Sequence, residues 1–327
     1  MISPYLKIAA DNNKELLSFR PIPKDTLKSL REFYRVGLTY TSNALEGNSL
    51  TETETKVVIE DGLTINGKPL RDVYEAVGHA KAYDHIHKLA KNKTLEESDI
   101  LMLHRLFYQQ IDADKAGVYR KVPVVISGSR YPVAQHLKIR AEMKKFVAWF
   151  NKNASRMNPV EFAAQVHKKF VFIHPFVDGN GRVARLLMNL ALLRGEYTIA
   201  LIPAVRRMEY VSALEVAHID DKVFVDFIAD CVVATQADLL RLLRNNLKPK
   251  KGAVRHRETG ENLSERILSE IRVNPGINTP ALASMLNLSL RTTQRQLQAL
   301  SESGKIEFRG ARKNGGYYLV ATPWNRL

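Results

Sequence analysis

The amino-acid sequence predicts a mostly α-helical protein with one short β-hairpin in its middle and a small separate domain at its C-terminal end. Apolar residues recur at helical spacing through most of residues 1–245. β-Branched residues cluster around a glycine turn near 117–133, and residues 263–327 contain three short helical patterns followed by two strand patterns. The predicted organisation is an N-terminal helical part over 1–110, a core over 111–245, a linker over 246–262 and the small domain over 263–327.

Composition places the chain among ordinary globular proteins with an excess of positive charge. Of its 327 residues, 45% are hydrophobic and 25% are charged, and the formal net charge is +15. From Arg241 onward, sixteen basic residues stand against six acidic ones. This excess favours nucleic acid or another acidic partner for the C-terminal domain, although a basic surface can also be only a solvated face.

Nothing in the sequence indicates secretion or a membrane. No apolar run is as long as a membrane span, and residues 1–4 lack the basic and apolar regions of a signal peptide. Cys231 is the only cysteine, and we interpret it as core filler because it lies in the apolar run 227–233. We therefore expect a cytoplasmic protein without disulfides.

The N-terminal part begins with a segment, residues 4–23, that has little periodicity and is expected to be an arm packed over the main body. A helix is predicted from Asp25 to Gly47, which serves as its C-terminal cap. Its apolar side consists of Leu27, Leu30, Tyr34, Leu38 and Leu45. Ser42 and Glu46 are four residues apart, so they share one face of this helix.

The next predicted boundaries all rest on capping and turn residues. A short helix is predicted to begin with the capping box of Thr51 and Glu54 and to end at Gly62. A tight hairpin turn at 65–68 follows. The next two predicted helices run from Pro69 to about Ala90 and from a cap at Thr94 with Glu97 to Tyr108. No carboxylate or cysteine lies at ligand spacing from the histidines of these helices, so we favour surface or core positions for them over a metal site. They are His79, His85, His87 and His104.

The best β-strand signal before the C-terminal domain surrounds Gly128. Residues 122–126 and 130–133 are rich in β-branched side chains on either side of the turn 127–129. Taken alone, this pattern also fits an ordinary surface hairpin. A helix over about 137–150 is expected to follow.

The densest cluster of reactive side chains is His-Pro-Phe-Val-Asp-Gly-Asn-Gly-Arg-Val-Ala-Arg at 174–185. A helix with Asn158 as N-cap and Pro159 in its first turn leads into it. Because a residue before proline is pushed out of the helical region, that helix should end at Ile173 or His174. The imidazole is then displayed where the loop begins and can act as a general base on an incoming hydroxyl, although a lone histidine before proline is usually a loop residue.

The second half of this cluster is typical of a phosphate site. Gly179 and Gly181 let the backbone approach a ligand closely at the start of a helix, where free N–H groups and the helix dipole attract anions. Arg182 and Arg185 are three residues apart, so both can fork onto phosphate oxygens, which indicates a polyphosphate. Asp178 lies just ahead and would repel phosphates unless a hard cation such as Mg²⁺ bridged the two.

Three further helix boundaries are predicted beyond the cluster. The helix that begins near Asn180 should end at Arg194, with Gly195 as a left-handed cap. Another helix should open near residue 206, and the last long one should cover 223–243.

At every fixed position the cluster matches His-Pro-Phe-x-Asp/Glu-Gly-Asn-Gly-Arg-x-x-Arg, and over roughly residues 25–245 the chain resembles Fic-domain (filamentation induced by cAMP) proteins. The resemblance implies transfer of AMP from ATP to a protein hydroxyl. It implies His174 as base, Asp178 as Mg²⁺ ligand, Gly179, Asn180 and Gly181 as phosphate cradle, and Arg182 and Arg185 as the groups that grip the β- and γ-phosphates. A related branch carries lysine in place of Gly181 and transfers phosphate, so glycine favours nucleotidyl transfer here.

Family members with an N-terminal inhibitory helix carry Ser/Thr-x-x-x-Glu-Gly/Asn, which residues 42–47 match through Ser42, Glu46 and Gly47. The resemblance implies that Glu46 pairs with Arg185 in the place of the γ-phosphate. ATP then binds only in a pose unsuited to in-line attack, and the helix over about 25–47 keeps the enzyme quiet. The alternative is a helix that ends in Glu-Gly by chance.

In this family the hairpin around Gly128 is a flap over the active site, where a target segment adds as a strand and presents its hydroxyl to the histidine. Family members also place a tyrosine near Tyr210 and an asparagine eight residues later around the nucleotide base. Here the second position is His218. The expectation of ATP therefore rests on the phosphate site more than on an adenine pocket.

The C-terminal part is predicted to begin after the linker 246–262, which has no apolar periodicity. Its predicted elements are helices over 263–271, from Thr279 and from the N-cap Ser289, and strands over 304–308 and 317–320. This order resembles a winged helix, and Arg291, Gln294 and Arg295 on the third helix are the candidates for DNA contacts. Many winged helices bind proteins instead, so both kinds of partner stay open.

We therefore predict a self-inhibited protein adenylyltransferase that uses ATP and Mg²⁺ to modify a Ser, Thr or Tyr hydroxyl of a target protein, which can be the protein itself. One alternative is removal of AMP, in which Glu46 activates water against an AMP-modified hydroxyl. Another is a winged-helix transcription regulator whose nucleotide site is only a sensor. DNA and a second copy of the chain are further candidate partners, and a membrane is not.

Overall fold

The computed structural model describes residues 3–126, 128–246, 260–286, 288–310 and 315–320. It confirms a mostly helical protein. Contacts divide the chain into two units, Met1–Ala253 and Val254–Leu327. Residues 247–259 of the predicted linker lie outside the described residues, while Asn246 and Gly260 on either side of them are already helical.

The described part of the first unit consists of helices and loops. Its α-helices are α1 (Pro4–Ser18), α2 (Lys24–Ala44), α3 (Glu52–Lys56), α4 (Leu70–Leu89), α5 (Glu97–Tyr108), α6 (Ile139–Asn153), α7 (Pro159–Ile173), α8 (Asn180–Arg194), α9 (Arg207–Val216) and α10 (Asp221–Asn246). Three shorter helical segments are the π-helix Val57–Asp61 and the 3₁₀ turns His136–Lys138 and Ala204–Arg206. None of the helices within the described ranges is long and apolar enough to cross a membrane.

Helix α8 lies at the centre of this unit. Its side chains are buried on nearly every side, as expected of a helix surrounded by others, and it packs against α7, α4, α5 and α2. Helix α7 turns an apolar face to the core, since Phe162, Val166 and Phe170 recur at helical spacing and are at most 1% exposed. Cys231 is buried in the same core, as the sequence predicts, and burial raises the pKa of its thiol to about 12.

The predicted N-terminal arm is a helix instead. Pro4 stands at the start of α1, a favourable position for proline, and Leu6, Ala9 and Leu16 face the core. Asn13 lies on the same buried face, and this polar residue hides the helical periodicity in the sequence. Helix α1 packs against α10.

Two predicted details of α2 are wrong. The helix ends at Ala44, so Glu46 lies in the turn that follows, where Gly47 has a φ of 94°. Leu27 is 56% exposed because it lies in the N-terminal part of α2, which extends past the core, whereas Tyr34 and Leu38 are buried as predicted.

Two predicted helix caps shift because a nearby residue takes the role. Helix α5 is capped by Glu96 with Asp99, two residues after the predicted pair of Thr94 and Glu97. The left-handed residue after α8 is Glu196, with a φ of 61°, while Gly195 has a φ of −80°. Glycine is required at 195 for another reason, since a Cβ there would lie 2.6 Å from Cβ of Pro159.

The predicted hairpin turn at 65–68 is a turn between helices. Lys68 N–H donates to the carbonyl oxygen of Ile65 at 3.2 Å, but the turn connects the π-helix to α4 and no strands flank it. The capping box of Thr51 with Glu54 is confirmed at the start of α3.

The flap, defined here as residues 117–135, differs from the predicted β-hairpin. Its described residues consist of turns, bends and irregular backbone and form no strand pair, and Pro123 and Pro132 each remove a backbone donor that a ladder needs. Arg120 holds the two arms together instead, donating to the carbonyl oxygens of Val122 at 2.8 Å and Ala134 at 2.5 Å.

The second unit has the helix order and paired strands of a winged helix. Its elements are α11 (Gly260–Val273), α12 (Thr279–Met285), α13 (Leu290–Glu302), β1 (Ile306–Arg309) and β2 (Gly316–Leu319). The strands are antiparallel, with Ile306 opposite Leu319. Ser289 caps α13 as predicted, because its Oγ accepts the N–H of Thr292 at 3.1 Å.

Candidate active site

His174 occupies the point where α7 ends. Its φ of 52° is in the left-handed region, which is uncommon for a residue with a side chain, and its N–H still donates to the Phe170 carbonyl oxygen. Nδ1 lies 3.3 Å from the Val171 carbonyl oxygen. Burial and the nearby Arg120 guanidinium lower the pKa of His174, although the contact with Val171 opposes them. The imidazole is therefore neutral at pH 7, as a general base must be.

The loop after His174 is held closed by Asn180. Its side chain accepts the N–H of Phe176 and donates to the Phe176 carbonyl oxygen, both at 2.9 Å. Asn180, predicted as part of a phosphate cradle, thus has both polar atoms of its side chain engaged within the loop. What it leaves for an anion is its backbone N–H in the first turn of α8.

His104 supports the same loop from α5, a role that the sequence did not suggest. Its ring stacks on Phe176 with centroids 3.7 Å apart, and its Nδ1 accepts the N–H of Gly117 at 2.9 Å. Nε2 therefore carries the proton and donates to the Asp178 carbonyl oxygen at 3.1 Å. Burial lowers the pKa of His104 to about 4, so this neutral tautomer persists at neutral pH.

The two glycines of the turn are required for different reasons. Gly179 has a φ of 77°, and a Cβ there would lie 2.8 Å from the ring of Phe107. A Cβ on Gly181 would lie 2.2 Å from Oε1 of Glu46. The second glycine thus makes room for a carboxylate that approaches the start of α8.

Arg185 is fully buried and engaged on all sides. It donates from Nε to Ser42 Oγ at 2.9 Å, from Nη2 to the Ser42 carbonyl oxygen at 2.8 Å and to Glu46 Oε1 at 2.7 Å, and from Nη1 to Tyr210 Oη at 3.2 Å. Burial opposes ionisation of Glu46, but Arg185 and then Arg182 outweigh it, so the pKa of Glu46 lies below its usual value. Glu46 and Arg185 therefore form an ion pair just past the end of α2, and Ser42 adds two acceptors to the same guanidinium.

Tyr210 and His218, the positions expected around a nucleotide base, lie in different surroundings. Tyr210 is buried beneath Arg185, and its hydroxyl also contacts Nε2 of His167 at 3.0 Å. His218 is stacked between Phe172 and Tyr131, with ring centroids 3.7 and 3.9 Å apart. Tyr131 belongs to the flap, so this stack joins the flap to α7.

Arg182 is held by two carboxylates and an aromatic ring. It lies 3.0 Å from Glu75 and 3.3 Å from Asp178, and its guanidinium sits 4.2 Å from the ring centroid of Phe107. Glu75, on α4, also accepts from Asn48 at 2.9 Å. Sequence reasoning missed Glu75 because its partners lie far away along the chain.

Asp178 is the residue that could hold a metal. Its Oδ1 accepts the N–H of Gly179 at 2.6 Å and faces Arg182, and its Oδ2 accepts from Arg71 Nη2 at 2.7 Å. Within the described ranges, no three His, Cys, Asp or Glu side chains converge as a metal site. Asp178 is 38% exposed and lines a polar cavity of about 230 Å³ together with Glu46 and Arg182. One accessible carboxylate fits Mg²⁺, which in proteins is often held by one or two carboxylates together with substrate phosphates and water.

The flap faces this region through Arg120, whose Nε donates to the His174 carbonyl oxygen at 2.7 Å. Gly128, at its tip, has a φ of 85°. Beyond the tip, the carboxylate of Glu215 accepts from Ser129 Oγ at 2.9 Å and from the N–H of Arg130 at 2.7 Å. Helix α9 therefore fixes the second arm of the flap.

A neutral histidine, an accessible carboxylate and two buried guanidiniums around a glycine-flanked helix start are typical of a phosphate-handling protein. Comparisons with known proteins agree. The model of the Fic/DOC family matches residues 94–192, and a model described as winged helix-turn-helix DNA-binding matches residues 261–307.

Individual Fic proteins match a longer part of this chain than the family model does. The protein adenylyltransferase Fic of Drosophila virilis is 35% identical over 231 residues, which are 70% of this chain and 47% of that protein. Fic-1 of C. elegans has a TM-score of 0.67 at 30% identity, covering 74% of this chain and 72% of that one. A Fic domain containing signaling protein of Bacteroides thetaiotaomicron has a TM-score of 0.68 at 29% identity, covering 74% and 98%.

The chain therefore belongs to the Fic family and carries a winged helix-turn-helix domain after its Fic domain. It spans about half the length of the curated relatives it matches.

Proposed function

We propose that this chain is a protein adenylyltransferase that moves AMP from ATP to a Ser, Thr or Tyr hydroxyl of a protein. The observation that carries the proposal is the neutral His174 next to the start of α8, with Arg182 and Arg185 in the first turns of that helix. Relatives named as protein adenylyltransferases support it.

In this mechanism the base is Nε2 of His174, because Nδ1 is directed at the Val171 carbonyl oxygen. The hydroxyl oxygen bonds to the α-phosphorus as the bond to the bridging oxygen of the β-phosphate breaks. The hydroxyl proton goes to His174, and pyrophosphate leaves toward the N–H groups of α8 and the guanidinium of Arg182. A Mg²⁺ ion on Asp178 would supply positive charge for the phosphates.

We propose further that Glu46 keeps the protein inactive. Its carboxylate lies 2.7 Å from Arg185, at the guanidinium that a γ-phosphate would need. With that donor engaged, ATP lacks one of its anchors, and its α-phosphorus is not placed for in-line attack. Gly181 is consistent with this role, because a side chain there would expel the carboxylate.

A second candidate reaction, removal of AMP from a modified hydroxyl, is favoured by the state of Glu46. Its side chain is ionised and 36% exposed at the polar cavity, so it can take a proton from water. An assay for AMP release from a modified protein distinguishes this reaction from AMP transfer. In AMP removal, His174 would act on the departing hydroxyl.

For the winged helix we propose DNA as the partner. Arg291, Gln294 and Arg295 are all exposed on one side of α13, whose opposite side is buried through Thr293 and Leu297. The match to a winged helix-turn-helix DNA-binding model supports this partner.

Replacing His174 by alanine tests the proposed reaction. Transfer should fall by roughly 10²- to 10⁴-fold while ATP still binds, because the helix start and both arginines remain. The measurement is incorporation of labelled AMP in a Glu46→Gly background, with ATP affinity measured in parallel. Undiminished labelling in the His174→Ala protein would refute His174 as the base.

A further inference from the structure

Arg71, on α4, contributes a third guanidinium at the edge of the active site. Its Nη2 donates to Asp178 Oδ2 at 2.7 Å, and its Nε donates to Glu75 Oε1 at 3.1 Å. It lines the same polar cavity as Glu46 and Arg182.

We propose that Arg71 is an internal cation that occupies Asp178 in the nucleotide-free protein and must leave when a metal–nucleotide complex enters. This inference rests on the proposed function, because it assigns Asp178 to the metal of that complex. A divalent cation cannot take Oδ2 of Asp178 while the Arg71 guanidinium occupies that oxygen, because the two positive charges repel each other. Arg71 therefore competes with the metal for Asp178.

The two arginines on Asp178 differ in the freedom they have to move. The side chain of Arg182 is only 3% exposed and packs over Phe107, whereas the side chain of Arg71 is 54% exposed. Arg182 thus belongs to the fixed frame of the site. Arg71, on the exposed edge of the site, can swing into solvent.

The charge around the cavity also indicates that Arg71 opposes binding of a divalent cation. Its lining includes two guanidiniums, from Arg71 and Arg182, and four carboxylates, from Glu46, Asp72, Glu75 and Asp178. Removing Arg71 leaves this lining more negative and frees Oδ2 of Asp178. Both changes favour binding of a divalent cation.

The test is the affinity for Mn²⁺, used as a probe for the metal and measured by electron paramagnetic resonance with a non-hydrolysable ATP analogue present. Since an exposed ion pair is a weak competitor, the Mn²⁺ dissociation constant of Arg71→Gln should fall by about two- to five-fold. Arg71→Lys, which keeps the charge but loses the two-pronged contact, should lie between Arg71→Gln and the unaltered protein.

Arg31→Gln is the matched control. Arg31, on α2, carries an exposed guanidinium that pairs with Asp84 on α4, the helix that also carries Arg71. The Mn²⁺ affinity of Arg31→Gln should therefore equal that of the unaltered protein. Thermal melting of each variant shows that it is folded.

Three outcomes would overturn the proposal. Equal or weaker Mn²⁺ binding by Arg71→Gln removes the competition. Weaker binding of the analogue in the absence of metal would make Arg71 a phosphate ligand instead. If neither the unaltered protein nor its Glu46→Gly variant binds the analogue, both the proposed function and this inference are wrong. If the analogue binds normally but Arg71→Gln leaves the Mn²⁺ affinity unchanged, only this inference is wrong.

Discussion

At the residue scale, the chemistry depends on the protonation of His174. His174 has a left-handed backbone conformation and is partly buried beside Arg120, and both burial and that guanidinium make the protonated imidazole costly. The same loop buries Phe176 and engages the side chain of Asn180, so the ring has a fixed support. The carboxylates of Glu46 and Asp178 act in the opposite direction, but burial outweighs them and the pKa of His174 stays lowered.

This environment predicts the pH dependence of transfer. Because the pKa of His174 is lowered, its neutral form persists below the usual pKa of histidine, and activity should be lost only as pH falls through the lowered value. The acidic limb of the pH–rate profile, measured for Glu46→Gly at saturating ATP, should therefore lie below pH 6.5. An acidic limb at or above that pH would contradict the environment described.

The candidate base, carboxylate, glycines and arginines could be named from sequence because they are contiguous along the chain. Their supports could not. His104, Arg120 and Glu75 act through partners 13 to 107 residues away, and nothing in their local pattern separates them from other buried or paired side chains. Tyr210 was expected near the nucleotide base, and its hydroxyl contacts Arg185.

At the scale of elements, the helices could be predicted and the flap could not. Periodicity and capping residues mark α7, with Asn158 as its N-cap, because those signals are local. The flap contains β-branched residues, but its two prolines and the guanidinium of Arg120 decide its shape. Helix α1 was missed because one buried polar residue interrupts its apolar face.

The contacts of α9 predict which residue holds the flap in place. Glu215→Ala removes the acceptor of the Arg130 N–H and of Ser129 Oγ, so the amide of Arg130 should exchange its hydrogen faster. Hydrogen exchange with fragment analysis of residues 128–134 measures this change.

The matched control for that measurement is Glu209→Ala, also on α9, whose carboxylate pairs only with Arg206 among its described contacts. Its flap amides should exchange as in the unaltered protein. Equal exchange in the two variants would show that Glu215 does not restrain the flap.

At the scale of the whole molecule, the chain joins a Fic domain to a basic winged helix. The net charge of +15 is concentrated toward the C-terminal end, and α13 exposes two arginines. Composition predicted this division because charge and apolar periodicity both change after residue 245. It could not predict which partner the basic surface binds, since phosphate contacts and solvated cations leave the same composition.

If DNA is that partner, its binding should weaken steeply with salt, and the double change Arg291→Ala with Arg295→Ala should reduce the slope. Each lost phosphate contact lowers the slope of log affinity against log salt concentration by about 0.9. Fluorescence anisotropy with a selected duplex, at several salt concentrations, measures both. An unchanged slope in the folded double variant would exclude α13 as the contact surface.

The central claim is that the Glu46–Arg185 pair keeps a competent transferase silent. Glycine at position 46 should free the guanidinium for the γ-phosphate, so transfer should rise; adding Arg185→Ala should abolish the gain, because the two residues act as a pair. The direct measurement is self-modification with labelled ATP and Mg²⁺ by the unaltered protein, Glu46→Gly, and the double variant. The account predicts strong labelling of Glu46→Gly alone. A Glu46→Gly protein that is folded and binds ATP, yet incorporates no more label than the unaltered protein, would contradict it.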